Sequence, residues 1–100
     1  TINQYIQVHY KEDLTLNSIA RVVYLTPAYI SSFYKENTGE NISNYIMQVR
    51  MENAKRLLAT TDLKVNDIAA EVGYTNTRSF LRAFKNYTGL TTGEFRSNAR

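Results

Sequence analysis

Apolar residues recur along this chain at intervals of three and four, the spacing that places side chains on one face of an α-helix. No segment alternates convincingly with a period of two, so no β-strand is predicted. The pattern therefore predicts an all-α fold of about seven helices. They are expected at about residues 2–10, 16–23, 27–38, 42–59, 65–72, 76–88 and 92–96.

Residues that start and stop helices support these bounds. Thr26 and Pro27 form a strong helix start. The threonine hydroxyl can cap the helix, and the first helical residue needs no N–H partner, so proline is tolerated there. Thr15 is a second candidate cap. Glycine readily adopts the left-handed conformation that follows a helix. The expected stops are Gly39, Gly73 and Gly89.

The same pattern of residues occurs twice. Five positions recur 49 residues later: Leu14, Asn17, Ile19, Ala20 and Val23 match Leu63, Asn66, Ile68, Ala69 and Val72. Three more recur 50 residues later: Lys35, Thr38 and Gly39 match Lys85, Thr88 and Gly89. Such a repeat predicts two copies of one supersecondary unit. The change of offset predicts that the turn at about residues 73–77 is one residue longer than its counterpart, which begins at Tyr24.

Each copy has the features of a helix-turn-helix unit, in which a support helix crosses a second helix at a steep angle. The crossing requires a small residue where the backbones approach, and Ala20 and Ala69 are expected there. The second helices are expected to bury Ile30 and Tyr34 in the first copy, and Phe80 and Phe84 in the second.

The length of 100 residues, 43% of them hydrophobic, limits how these copies can be organised. Neither half is long enough to bury a large core alone, so a shared element is expected to brace both. We predict a first helix-turn-helix subdomain at residues 1–40, a connecting helix at 41–60 and a second subdomain at 61–100.

Charge is unevenly distributed. Residues 1–50 carry four basic and four acidic side chains, whereas residues 51–100 carry eight and five and so supply the whole net charge of +3. Near the C-terminus, Glu94 alone opposes the basic residues Arg78, Arg82, Lys85, Arg96 and Arg100. A local basic excess favours a polyanionic partner, most economically nucleic acid, although a solvated basic tail is the alternative.

The absence of cysteine excludes disulfides and thiolate metal sites and fits a reducing compartment. No apolar run approaches the roughly 20 residues that span a bilayer, and no signal peptide is evident. We therefore expect a cytoplasmic protein without membrane contact, cofactor or metal.

Three stretches of the chain resemble the DNA-binding domain of the AraC/XylS family of bacterial transcription regulators. They are Ile19-Ala20…Val23-Tyr24-Leu25-Thr26-Pro27-Ala28-Tyr29-Ile30, then Arg50…Ala54…Leu57-Leu58, and Ile68-Ala69-Ala70-Glu71-Val72-Gly73-Tyr74…Phe80…Phe84-Lys85…Gly89…Thr91…Phe95-Arg96. The resemblance implies one monomer that binds two adjacent major-groove segments of double-stranded DNA. It also implies RNA polymerase as a partner and an absent N-terminal sensing or receiver domain.

The outward residues of helices 27–38 and 76–88 are the candidates for base contacts, because the inward positions form the core. The candidate base contacts are Ala28, Ser31 and Ser32 in the first copy, and Thr77, Arg78 and Arg82 in the second. Arg82 is the foremost, since arginine pairs with the two acceptors of guanine. The candidate phosphate contacts are Thr26, Lys35, Asn41, Asn76, Lys85, Thr91 and Thr92. Arg50 is expected to pair within the domain.

Two other classes of function fit the sequence less well. An enzyme is not expected, because His9 is the only histidine, the carboxylates are scattered and no glycine-rich loop could hold a nucleotide. A helical protein-interaction module with the same fold and little affinity for DNA is the alternative that stays open, favoured by the nearly neutral first copy.

Overall fold

The computed structural model describes residues 2–12, 14–23, 26–38 and 41–100, which form seven α-helices and no strand. The helices are α1 (Ile2–His9), α2 (Leu16–Val23), α3 (Pro27–Thr38), α4 (Ile42–Thr60), α5 (Val65–Glu71), α6 (Thr77–Thr88) and α7 (Thr92–Ala99). The all-α prediction is confirmed. None of these helices has the length and apolar character needed to cross a bilayer.

Some predictions fall outside the described residues. They are the turn at Tyr24, the helix end at Gly39, and the placement of the side chains of Leu16, Val23 and Phe33.

The observed bounds agree with the predicted ones to within one residue, except at α7. That helix continues three residues beyond Arg96, to Ala99. The last apolar position of the pattern is Phe95, so periodicity gave no signal for the extension. Arg96 and Arg100 hold the extended turn, because both bind the loop that follows α4.

Side-chain caps start five of the helices, since the first backbone N–H groups of a helix have no partner within it. The capped groups are Ser18 N on Thr15 Oγ1 (3.1 Å), Tyr29 N on Thr26 Oγ1 (3.2 Å), Asn44 N on Asn41 Oδ1 (2.8 Å), Ser79 N on Asn76 Oδ1 (3.1 Å) and Glu94 N on Thr91 Oγ1 (3.1 Å). The starts predicted at Thr15 and Thr26 are confirmed.

The chain divides into two compact units, residues 1–49 and 50–100. The division falls inside α4, which contributes residues to both. The three-part division with 41–60 as a separate connector stays a prediction.

Each unit has its own core, and two repeated pairs, Ile19 with Ile68 and Ala20 with Ala69, are buried in both. In the first unit Ile6, Ile19 and Ile30 are fully buried with Ala20 and Tyr34 beside them. In the second unit the largest fully buried side chains are Met51, Leu58, Ile68, Val72, Phe80 and Phe84. The helix faces predicted from the repeat are therefore confirmed at the described positions.

An aromatic contact is repeated in the two units. The ring centroids of Tyr34 and Tyr45 are 6.1 Å apart in the first unit. Those of Phe84 and Phe95, the equivalent pair, are 5.6 Å apart and edge to face in the second. Each contact packs the last helix of its unit against the second helix of the helix-turn-helix.

Tyr87 connects α6 to α4 through a carboxylate, and this predicts a pH dependence. Its hydroxyl donates to Glu52 Oε2 at 2.8 Å, and Lys55 Nζ lies 3.2 Å from the same oxygen. Donation by Tyr87 is the largest cause that holds the pKa of Glu52 below its ordinary 4.5. Burial opposes it, and the hydrogen bond and charge of Lys55 lower the pKa by less. Because the folded pKa is lowered, this stabilisation is present above pH 4.5 and is lost as the pH falls through the folded value.

We therefore expect the melting temperature of the Tyr87→Phe variant to fall less on acidification than that of the native chain. The measurement is the melting temperature at intervals between about pH 3 and pH 7. Tyr29→Phe, in the other unit, is the control and should leave the acid profile unchanged. Parallel profiles for Tyr87→Phe and the native chain would contradict the assignment.

Candidate nucleic-acid interface

A left-handed turn joins the two helices of the second helix-turn-helix. Gly73 takes a φ of 101°, a backbone conformation that residues other than glycine rarely adopt. The N–H groups of Gly73 and Tyr74 then bond to the carbonyls of Ala70 and Ala69 at 3.1 and 2.9 Å. These bonds satisfy the last carbonyls of α5 and turn the chain into α6. The predicted stop at Gly73 is confirmed, and so is that at Gly89, where φ is 80°.

The inner face of α6 is fixed by packing. Phe80 and Phe84 are fully buried with their ring centroids 5.9 Å apart, and Tyr74 lies 5.6 Å from the ring of Phe80. Since the helix has no rotational freedom once these rings are buried, the opposite face is fixed as well.

The opposite side of α6 carries three basic residues, Arg78, Arg82 and Lys85, called here the basic face of α6. All three are exposed, and their spacing of four and three residues places them in one row. None forms an ion pair within 4 Å in the described part of the chain, so their charge is available to a partner.

The basic face borders an open cleft of about 440 Å³ between α6 and the start of α7, called here the α6–α7 cleft. Its lining residues are Arg78, Leu81, Arg82, Lys85, Asn86, Thr91 and Thr92. Five of the candidate contact residues therefore meet around one concave surface, although Arg78 and Thr92 are far apart in sequence.

Four candidate phosphate contacts are N-cap residues. Thr26, Asn41, Asn76 and Thr91 are exposed, and each uses an acceptor oxygen to cap its helix. No described residue accepts from their hydroxyl and amide hydrogens, and a phosphate oxygen requires such donors. Thr77 follows Asn76 and is partly buried.

Thr92 is placed differently from the other phosphate candidates. It is only 6% exposed, so its side chain lies in the wall of the α6–α7 cleft and not on the open surface. Its backbone N–H is one of the first in α7, the group that a helix N-terminus presents to an anion.

The corresponding face of α3 is exposed but nearly uncharged. It carries Ala28, Ser31 and Ser32, with Lys35 as its one basic side chain among the described residues of the helix. Buried Ile30 and Tyr34 fix this orientation.

Two residues on these faces were not among the sequence candidates. Tyr29 is 54% exposed on α3, beside Ala28 and Ser32. Asn86 lines the α6–α7 cleft beside Lys85. The helical spacing along α3 and α6 places both residues on the outward faces. Residue type argues against Tyr29, because most aromatic residues of this chain lie at core spacings.

Two basic residues counted in the local charge excess do not belong to this face. Arg96 donates to the carbonyls of Leu58, Thr61 and Leu63, and Arg100 Nη1 lies 2.7 Å from Asp62 Oδ1. The basic residues that face outward are therefore those of the basic face of α6, and not all those of the C-terminal stretch.

Arg50 also acts inside its unit, as predicted. Its guanidinium carbon lies 5.6 Å from the centre of the Tyr74 ring, a cation–π distance. Burial raises the pKa of Tyr74 above its ordinary 10.0, against a smaller opposite effect of Arg50. The contact fixes the residue that follows the turn of the second helix-turn-helix.

A family model of a helix-turn-helix domain matches residues 19–98. Over 95 residues the chain is 39% identical to YtdP, an HTH-type transcriptional regulator of Bacillus subtilis strain 168. The match covers 95% of this chain, which spans about an eighth (12%) of the length of that relative.

Solved structures share the fold. The C-terminal domain of AraT, a response regulator from Geobacillus stearothermophilus, superposes with a TM-score of 0.94 at 36% identity, over 97% of this chain and 81% of that one. The DNA-binding domain of AdpA, a global transcriptional factor solved in complex with a target DNA, gives a TM-score of 0.92 over 99% and 89%. Its identity of 20% makes that likeness one of fold.

Proposed function

The chain belongs to the AraC/XylS family of helix-turn-helix transcription regulators, and we propose that α3 and α6 bind adjacent major-groove segments of double-stranded DNA in a sequence-specific way. DNA-binding transcription regulation is the function of the family, and the assignment of the two recognition helices is our proposal. The observation that carries it is the basic face of α6, which is exposed, forms no ion pair with the described residues and lies opposite a buried aromatic core.

Arg82 is assigned to a base contact. It lies in the middle of the basic face, one turn after Arg78, and a guanidinium can donate two parallel hydrogen bonds to guanine O6 and N7. Arg78, near the start of α6, is assigned to a base or to a phosphate. Thr77 is assigned to a base contact through its hydroxyl.

The first recognition helix is assigned a weaker role in discrimination. Ala28, Ser31 and Ser32 are small, which supports close approach of the backbone, methyl contacts with thymine and hydroxyl contacts. Tyr29, exposed beside them, adds an aromatic ring to the same face. The two helix-turn-helix units are therefore proposed to contribute unequally, with α6 the more selective.

Phosphate contacts position the two units on the duplex without selecting a sequence. They are assigned to Lys35 and Lys85, and to the N-cap residues Thr26, Asn41, Asn76 and Thr91. Thr92 is assigned to a phosphate through its backbone N–H.

Salt dependence tests the proposal. Binding through several phosphates releases counterions, so the logarithm of the affinity should fall linearly as the logarithm of salt concentration rises. Lys85→Ala should weaken binding to all sequences about equally and reduce the slope by about 1. Fluorescence anisotropy of a labelled duplex at several salt concentrations measures both quantities.

Lys64→Ala is the matched control, because it removes the same charge from an exposed residue outside the α6–α7 cleft. Its slope should change less than that of Lys85→Ala. A flat salt response of the native chain would reject the proposal and favour the rival protein-interaction module.

The remaining partners are also proposals. We expect this domain to be joined to a sensing or receiver domain and to contact RNA polymerase when bound to DNA. The description of AraT as a response regulator and the small share of YtdP that this chain spans support the first of these.

A further inference from the structure

Leu81 is a large apolar residue on the side of α6 that carries the basic face. It is 41% exposed and lies three residues after Arg78 and four before Lys85, so the three share one row of the helix. Phe80 and Phe84 take the buried side of α6, and Leu81 is therefore held out of the core. The residue instead lines the α6–α7 cleft beside the basic side chains.

The fold does not require a leucine at this position. The offset of 50 residues that relates Lys35 to Lys85 also relates Ser31 of α3 to Leu81. Ser31 is exposed, and α3 forms with that small polar residue in place. Since a helix-turn-helix unit of this chain forms with serine there, packing does not account for the leucine.

A leucine side chain has one favourable contact at the base edges of the major groove. It has no donor or acceptor, so it gains nothing from a phosphate or from the polar edge of a base, and it removes water from any polar group that it covers. The C5 methyl group of thymine is the apolar group that base pairs present in the major groove. Contact between this methyl and leucine removes apolar surface of both from water, which is favourable.

The neighbour of Leu81 in sequence indicates where such a thymine would lie. Arg82 is assigned to a guanine, and the Cα atoms of adjacent residues are about 3.8 Å apart. Successive base pairs are about 3.4 Å apart along the duplex axis. Two adjacent outward residues of α6 can therefore contact adjacent base pairs.

We propose that Leu81 is a specificity-determining residue, which packs against the C5 methyl group of a thymine in the base pair next to the one that Arg82 reads. This contact rests on the proposed function, because it requires α6 to enter the major groove. The part of the DNA site bound by α6 then contains a guanine with a thymine in the adjacent base pair. Cytosine is disfavoured at the thymine position, because it lacks the methyl group and presents an amino group that leucine cannot accept from.

The test removes the methyl group from the DNA and the leucine from the protein. A duplex is selected from a random library with the native chain, and each of its thymines is replaced in turn by deoxyuridine, which lacks only the C5 methyl. Fluorescence anisotropy measures the affinity of each duplex for the native chain and for Leu81→Ala. At one thymine, next to the base pair whose preference relaxes in Arg82→Ala, uracil should weaken native binding about three- to fivefold, the effect of one buried methylene-sized group.

Leu81→Ala should bind the thymine and uracil forms of that duplex equally, because the methyl group no longer has its partner. Such non-additivity is expected of two groups in contact, whereas a merely structural role would lower affinity for both forms and keep their ratio. Leu81→Ser, which introduces the residue type of α3 at the equivalent position, should also lose the discrimination. The melting temperature of both variants should stay close to that of the native chain, since Leu81 lies outside the core.

Leu63→Ala is the matched control. Leu63 is 39% exposed, about as much as Leu81, but it lies in the loop between α4 and α5 and does not line the α6–α7 cleft. The same truncation at this site should keep the native affinity and the native ratio between thymine and uracil.

Two results would overturn the assignment of Leu81. One is a native chain that binds every uracil-substituted duplex as tightly as the thymine form, and the other is a Leu81→Ala variant that keeps the native ratio at every thymine. If either occurs while the native chain binds the selected duplex with a steep salt dependence, the contact of Leu81 is rejected and the proposed function stands. A native chain that selects no duplex and shows a flat salt response rejects both.

Discussion

Replacement of Arg82 by alanine is expected to weaken binding to the preferred duplex by about 1–3 kcal/mol and to relax the preference at one base position. The guanidinium is exposed on the basic face of α6 and forms no ion pair within the described part of the chain, so the substitution removes a contact with DNA and little else. Selection of bound sites from a random duplex library, with the native and variant chains, measures both the affinity and the preference.

Lys85→Ala is the comparison for Arg82→Ala, because it removes a positive charge one turn away on the same face. It should lower affinity for every sequence and leave the selected site unchanged. If Arg82→Ala left both affinity and sequence preference as they are, the assignment of Arg82 to a base would be wrong.

Replacement of Arg96 by alanine is expected to destabilise the second unit by about 2–3 kcal/mol. Its Nε lies 3.1 Å from the carbonyl oxygen of Leu58, and its Nη2 lies 3.1 Å and 2.8 Å from those of Thr61 and Leu63. Leu58 is in the last turn of α4, where carbonyls have no partner within the helix. The substitution leaves that carbonyl unsatisfied and frees α7 from the loop.

Thermal unfolding followed by circular dichroism measures this effect, and a decrease of roughly 10–20 °C is expected. Arg100→Ala is the matched control, since Arg100 contacts the same loop from the C-cap of α7 but is itself exposed, where it binds the exposed carboxylate of Asp62 and the carbonyl of Thr61. It should change the melting temperature little. Equal effects of the two substitutions would show that Arg96 has no special part in holding the loop.

The helices and their inner faces could be predicted from the sequence because they depend on local spacing. Ile30 with Tyr34 and Phe80 with Phe84 are one turn apart, so each pair must lie on one side of its helix. The core then buries that side whatever the details of packing. Caps such as Thr26 and stops such as Gly73 are local for the same reason, since they act within one turn of the chain.

The outward faces could be predicted only in part. Exposure of Arg78, Arg82 and Lys85 followed from the positions of the buried phenylalanines. Thr92 did not follow, because its burial depends on the approach of α6 to α7, which no spacing within α7 specifies. Tyr29 differs in the other direction: its aromatic side chain favours burial, but the structure leaves it exposed.

The sequence by itself determined that this protein is an all-α chain with two copies of a helix-turn-helix, and that the second copy carries the positive charge. Hydrophobic period and local caps are sufficient for those conclusions. Only the tertiary structure decided which cations belong to the basic face. Arg82 and Arg96 have the same long side chain and the same charge, so sequence counts them alike. They differ because the fold brings the carbonyls of Leu58 in α4 and of Thr61 and Leu63 in the following loop within reach of Arg96, and leaves Arg82 exposed beside the α6–α7 cleft.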